Sequence, residues 1–254
     1  MFSMDNLLKF ELFKLRKDRS FWTLVFGLTA SAAFYPFLIF FNDGVFGAEP
    51  VSVSELYTFT ALGGNNYIVR LVPCILAGFF ISSEYSIGTM KSMGASGNSR
   101  FRIFSSKLIV FSIGAAIISL IFPIVMTGVT AILSGFNDLP DFGYIVRTLG
   151  LTALYAAAFA SMMALAAIIL TDSGKTIGFL ILFFILFDSI LYMLSQQFSL
   201  FEIIFNNSAF KLYLDITKLD LGSGEFLKLI LVPILTFIVF GLIGSFVFQR
   251  KEIK

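Results

Sequence analysis

The chain has 254 residues, of which 57% are apolar and 13% charged, about half the charge of an average soluble domain, so it is read as an integral membrane protein. Its 18 basic and 16 acidic residues leave a formal charge of +2, too balanced for a nucleic-acid surface. Histidine is absent and Cys74 is the one cysteine, which removes His/Cys zinc sets, Ser/His/Asp triads, haem ligation through His and any disulfide within the chain.

The expected fold is an all-α membrane protein, one transmembrane domain over 1–254. Residues 5–20 interleave bulky apolar side chains with basic ones, with Leu8, Leu12 and Leu15 on one helical face and Phe10 and Phe13 off it. That composition suits an N-terminal interfacial helix whose Lys and Arg stems snorkel toward headgroups. A plain basic anchor ahead of the first span fits it as well.

Crossing a hydrocarbon layer about 30 Å thick takes about 20 helical residues. Six stretches qualify, at about 21–41, 61–82, 108–133, 144–170, 176–195 and 226–248. The first passes a small-residue run, Ala30 to Ala33, that resembles a signal-peptide cleavage site, but it continues unbroken to Phe41 and so reads as an uncleaved anchor. Arg70 and Pro73 interrupt the second, which regains its length by starting at Ala61; Arg70 is placed at the span edge. With the N-terminus inside, thirteen Lys and Arg fall on the cytoplasmic side against at most five outside, so both termini are expected in the cytoplasm.

Glu84 ends the second span, Gly88 and Thr89 turn the chain, and a short piece carrying Met90, Lys91 and Met93 follows. Asn98 or Ser99 is placed to cap a basic helix entering the third span, with Arg100, Arg102 and Lys107 expected at anionic headgroups. Further on, Ala156, Ala160 and Ala164 in the fourth span and Gly241 and Ser245 in the sixth recur every four residues, a spacing that marks close helix contacts. The fragment from Asp172 to Thr176, Asp-Ser-Gly-Lys-Thr, lacks the first glycine of a phosphate-binding Walker loop and reads as a tight turn.

Asp188 lies near the middle of the fifth span, where an ionised side chain costs about 2.5–3.5 kcal/mol on insertion scales. It must face protein or water. Contact with a cationic substrate, a hydrogen bond that changes during gating, and a structural bond to a Ser, Thr or backbone carbonyl all fit. The loop 196–225 is long and rich in Phe, Ile and Leu, so it is expected to fold into short helices at or dipping into the outer interface, or into a packed cap. The phenylalanines of the fifth and sixth spans are read as lipid-facing or core packing ahead of a substrate cage.

Glu84, Gly88, Thr89, Ser99, Arg100 and Lys107, in that order and spacing, resemble the type-2 family of ABC-transporter permeases, in particular the short six-span members of bacterial peptide-export and bacteriocin-immunity systems. The likeness extends to the basic segment before the first span and the long apolar last loop. It implies a permease in the bacterial cytoplasmic membrane that pairs with a second permease, identical or homologous, and with separate ABC ATPase subunits. Residues 85–97 would then form a coupling helix docked on the ATPase, with Glu84, Gly88, Thr89, Met90, Lys91, Met93 and Arg100 as the coupling set and Asp188 on the substrate path or gate. A charge contact between Glu84 and Arg100, or from either to the ATPase, would let the segment move as a unit.

The chain itself carries no Walker loop, no expected catalytic group and no metal or cofactor site, so ATP and Mg²⁺ would belong to the partner ATPase. An amphipathic or hydrophobic cargo, such as a peptide, bacteriocin or drug-like compound moved outward, suits the apolar interior. An ion-gradient-driven secondary transporter and a non-transporting scaffold or sensor subunit are the rival readings. An intramembrane enzyme lacks any paired acid and base at matching depth.

Overall fold

The computed structural model describes residues 4–41, 52–95, 97–136 and 138–251, and among them every regular element is helical. Residue 96 of the expected coupling segment lies outside the described residues. Helix α1 (Met4–Lys17) gives way to α2 (Arg19–Ile39) across Asp18, which is extended and whose Oδ1 accepts the Phe21 N–H at 2.9 Å. The residue that interrupts the helix therefore also caps the next one. The chain continues as α3 (Val53–Ile87), α4 (Thr89–Ala95), α5 (Arg100–Ser134), α6 (Phe142–Leu170) and α7 (Ser173–Ser195). It then runs through α8 (Ser199–Asn206), α9 (Ala209–Leu214), a 3₁₀ turn at Asp215–Thr217 and α10 (Ser223–Arg250).

Side-chain caps start the long helices: Ser52 for α3, Ser99 for α5, Asp141 for α6 and Asp172 for α7. Asp172 Oδ1 accepts the Lys175 N–H at 2.8 Å, so the Asp-Ser-Gly-Lys-Thr fragment is a capped turn. Gly88 closes α3 at φ +79°, a left-handed geometry that a residue with a Cβ adopts only under strain.

Helices α2, α3, α5, α6, α7 and α10 are each long and apolar enough to cross a membrane. Two of them start earlier than the hydropathy suggests. The second span begins at Val53 instead of Ala61, because Ser52 nucleates the helix and Val53, Tyr57 and Ala61 all face inward, the latter two beside Ala32, Met126 and Tyr144. The third begins at Arg100 instead of Leu108, since Ile103, Phe104, Ser106 and Lys107 are already buried.

Helices α3, α5 and α6 form the interior, while α2, α7 and α10 leave most of their apolar surface facing out. The alanine stripe of α6 is fully buried, and α10 lies along α6 and α5. There a Cβ on Gly241 would stand 3.1 Å from Leu108 Cδ2, and Ser245 is buried, so the small residues of α10 admit a close approach. Of the phenylalanines in α7, Phe184 enters the core while Phe179 stays exposed.

The segment 196–225 folds as short helices, and α9 dips into the bundle. Its Phe210 and Tyr213 join Tyr155, Phe159 and Phe184 in an aromatic cluster with ring centroids 5.5–6.3 Å apart. The end of the segment is pinned to α6, where Tyr144 Oη donates to the Thr217 carbonyl at 2.8 Å and Arg147 Nη2 to that of Lys218 at 2.5 Å. Helix α8 keeps Leu200, Ile203 and Ile204 exposed on one face.

Candidate coupling and gating site

Buried Leu7, Glu11 and Leu15 recur every four residues on α1. Of the stripe expected on Leu8, Leu12 and Leu15, Leu15 is buried as expected, while Leu7 and Glu11 take the inward places of Leu8 and Leu12, and Leu12 faces out. A glutamate on an inward face needs a compensating charge, and α5 supplies one. Lys107 Nζ donates to Glu11 Oε1 at 2.8 Å and stands 2.6 Å from Glu84 Oε2 at the end of α3. Lys14 Nζ also bonds Glu84 and donates to the Phe80 carbonyl at 2.8 Å, and it lies 3.9 Å from Glu11 Oε2.

Two carboxylates and two ammoniums thus close a neutral cluster between α1, α3 and α5. Both ammoniums also lie over the Phe80 ring, at 4.1 and 5.5 Å from its centroid. Glu11, Lys107 and Glu84 are 1%, 2% and 4% exposed. Burial, and next the Lys107 ammonium, pull the Lys14 ammonium below its ordinary range against the raising effect of Glu84 and Glu11.

This geometry corrects three expectations. Lys107 lies inside the protein and not at headgroups, because two buried carboxylates hold it. Glu84 and Arg100 do not pair: Glu84 serves Lys14 and Lys107, while Arg100 Nη1 donates to the carbonyls of Gln249 and Lys251 at 2.9 and 2.7 Å, closing the end of α10. Met90 does not present a surface to a partner, since it is buried in the main core, with Met93 packed against that core. Among the expected coupling residues, Gly88, Thr89 and Lys91 are exposed, and Thr89 Oγ1 donates back to the Glu84 carbonyl at 3.3 Å. Between them and Glu84 stands Ile87, an isoleucine that is 72% exposed.

The second node lies farther along α3. Arg70 is no edge residue: it is 4% exposed, its Nη1 lies 2.6 Å from Asp188 Oδ2, and its Nη2 donates to the Phe210 carbonyl at 2.7 Å. Its guanidinium also covers the Phe210 and Phe159 rings at 5.1 and 5.7 Å. The partner of Asp188 is therefore an arginine on another span, not a Ser, Thr or backbone carbonyl. One side chain ties α3 to α7, to α9 and to the aromatic cluster.

Toward its Ile87 end, α3 also touches the α6–α7 turn. Ser173 Oγ donates to the Gly78 carbonyl at 2.9 Å, and the Ser82 hydroxyl meets that of Thr176 at 2.8 Å and donates to the Ala167 carbonyl at 3.1 Å. Among the described residues no group of His, Cys, Asp or Glu is arranged to hold a metal ion. Sequence reading missed Glu11, Lys14 and Arg70 as site residues. The available signal for the first cluster was a lone acid on the apolar N-terminal helix, with Glu84 and Lys107 at facing ends of consecutive spans.

A search of curated proteins finds no match to the chain. The family model described as ABC-2 family transporter protein matches residues 7–189, most of the chain, from the start of the buried α1 stripe through Asp188. An all-helical protein with six membrane-capable helices and a family match of that extent belongs to the ABC-2 transporter family, as a multi-pass permease.

Proposed function

We propose that this permease is the transmembrane subunit of an ATP-driven exporter in a bacterial cytoplasmic membrane, with both termini in the cytoplasm. It pairs with a second permease, identical or homologous, and is driven by separate ABC ATPase subunits that bind ATP and Mg²⁺. The cargo is amphipathic or hydrophobic, such as a peptide, bacteriocin or drug-like compound. The apolar interior of the bundle suits a cargo of that kind better than a sugar or a hydrated ion.

The observation that carries this reading is the end of α3. Ile87, Gly88, Thr89 and Lys91 form an exposed knob, apolar at Ile87 and basic at Lys91, whose base is anchored by Glu84 in the buried charge cluster. A push on the knob is then passed to α1 and α5 through ion pairs, and along α3 to Arg70, Asp188 and the dipping helix α9. In this assignment Gly88, Thr89 and Lys91 touch the ATPase with Ile87, and Met90 and Met93 fix the segment from beneath. Glu84 and Arg100 act as positioning residues, and Asp188 acts in the gate.

The test is co-expression with the cognate ATPase and reconstitution in vesicles. Ile87→Asp should leave the permease inserted while abolishing ATPase copurification and cargo-stimulated hydrolysis. Flux that runs on an ion gradient with the ATPase omitted would support a secondary transporter instead. A stable ATPase complex without flux would support a scaffold or sensor.

A further inference from the structure

A cavity of about 230 Å³ opens between α9 and the first turns of α10, lined among others by Lys211, Asp215, Lys218, Glu225 and Lys228. Its charges do not cancel. One oxygen of Asp215 is shared by Lys211 Nζ at 2.7 Å and Lys218 Nζ at 3.2 Å. Glu225 turns back to accept the Gly222 N–H at 3.4 Å and so serves the start of α10. Lys228 reaches the Asn207 side-chain oxygen at 3.5 Å and, among the described residues, has no ion pair. Three ammoniums and two carboxylates therefore line the cavity, an excess of one positive charge, and the cation without an ion pair among the described residues is Lys228. The cavity also lies at the N-terminal end of the 28-residue α10, the positive end of its dipole.

The surroundings identify the occupant. Leu231 and Leu235, three and seven residues beyond Lys228 and so on its face of α10, are exposed, as is Leu227, on a helix apolar enough to span a membrane. Leu219, beside Lys218, is exposed as well. A basic cavity at the head of an exposed apolar strip matches a molecule with an anionic head and apolar tails. A soluble anion would leave the strip unused.

We propose that this cavity binds the phosphate of an anionic phospholipid, with the acyl chains lying along Leu227, Leu231 and Leu235. The proposal requires only that the protein be inserted in a bilayer and does not rest on ATP coupling. A free phosphate shares the head chemistry, and the experiment separates the two sources.

The full chain is placed in nanodiscs of phosphatidylcholine doped with labelled phosphatidylglycerol, and the preference of protein-associated lipid for phosphatidylglycerol is measured. Lys228→Gln, at an exposed position with no ion pair among the described residues, should lower that preference about fivefold, the typical worth of one basic residue beside anionic headgroups. Adding Lys211→Gln and Lys218→Gln should lower it further, and millimolar inorganic phosphate should not compete. Wild-type preference in Lys228→Gln would overturn the proposal. So would loss of the wild-type preference on adding inorganic phosphate, which would reassign the cavity to a soluble phosphate.

Discussion

The Arg70 guanidinium and the Asp188 carboxylate meet at 2.6 Å between the second and fifth spans, and the same arginine holds the Phe210 carbonyl of a helix that dips into the bundle. Removing one member of a buried pair leaves an uncompensated charge, at a cost of about 3–5 kcal/mol. Asp188 keeps 26% of its side chain exposed, so its removal should cost less than that of Arg70. Arg70→Met is therefore expected to destabilise more than Asp188→Asn, and the double variant less than their sum, by about 1–3 kcal/mol. Denaturant unfolding in detergent gives the cycle, and strict additivity would reject the pairing. With its carboxylate already engaged, Asp188→Asn should also reduce transport of cationic and neutral cargo alike, whereas a selective loss for cations would restore a direct substrate contact.

Lys107 touches both buried carboxylates of the charge cluster. Lys107→Met leaves Glu11 and Glu84 with Lys14 alone and should cost about 3–5 kcal/mol. The loss should appear locally as faster backbone hydrogen exchange across 4–17, because α1 is held by this contact. Adding Glu11→Gln should recover part of the loss. Unchanged exchange in α1 would mean that apolar packing alone retains the helix.

Gly78 lies at a tight approach of α3 and α7. A Cβ there would stand 2.5 Å from Ile177 Cγ1 and 2.9 Å from the Ser173 carbonyl oxygen, and the second obstacle is backbone. Gly78→Ala should destabilise by about 1–3 kcal/mol through overpacking. Gly27→Ala, with nothing within 4 Å, should not lower stability. Equal thermal midpoints for the two variants would show that α7 shifts without cost.

Topology is tested in a Cys74→Ser background, a mild change at a buried cysteine. An impermeant thiol reagent applied to intact cells should label Leu219→Cys and leave Ile87→Cys unlabelled, both positions being strongly exposed in the protein. The reverse pattern would invert the orientation read from the basic residues.

The six spans were legible because bilayer thickness sets a length threshold that apolar runs either meet or miss. The ends of α3 and α5 were not, since residues 53–60 and 100–107 mix polar with apolar side chains and only the caps Ser52 and Ser99 mark where helix begins. Ser99 was readable as a cap, yet the span was started at Leu108 because Arg100, Arg102 and Lys107 look solvated. Whether a lysine at a span edge turns outward or inward depends on what faces it. For Lys107 that partner, Glu11, is 96 residues away, and for Arg70 the partner Asp188 is 118 residues away. Distances of that order leave no periodic trace in the sequence.

The 35-residue α3 widens into π-helical turns at Leu56–Leu62 and Gly78–Ser82, so it is at most about 52 Å long at 1.5 Å per residue, still well beyond a hydrocarbon layer of about 30 Å. Arg70 fastens it near its centre, about 21 Å from Glu84 and about 26 Å from Val53. With Arg70 as the fulcrum, the helix would work as a seesaw whose Ile87 arm also carries the Gly78, Ser82 and Glu84 contacts. A tilt of about 10° about Arg70 would carry each end roughly 4 Å, in opposite directions. The Val53 end is itself tethered, the Ser54 N–H donating to the Asp138 carbonyl at 3.1 Å. Any swing of the knob at Ile87 would therefore arrive at the far side of the bilayer with its sense reversed, pulling on the loop that leads into α6.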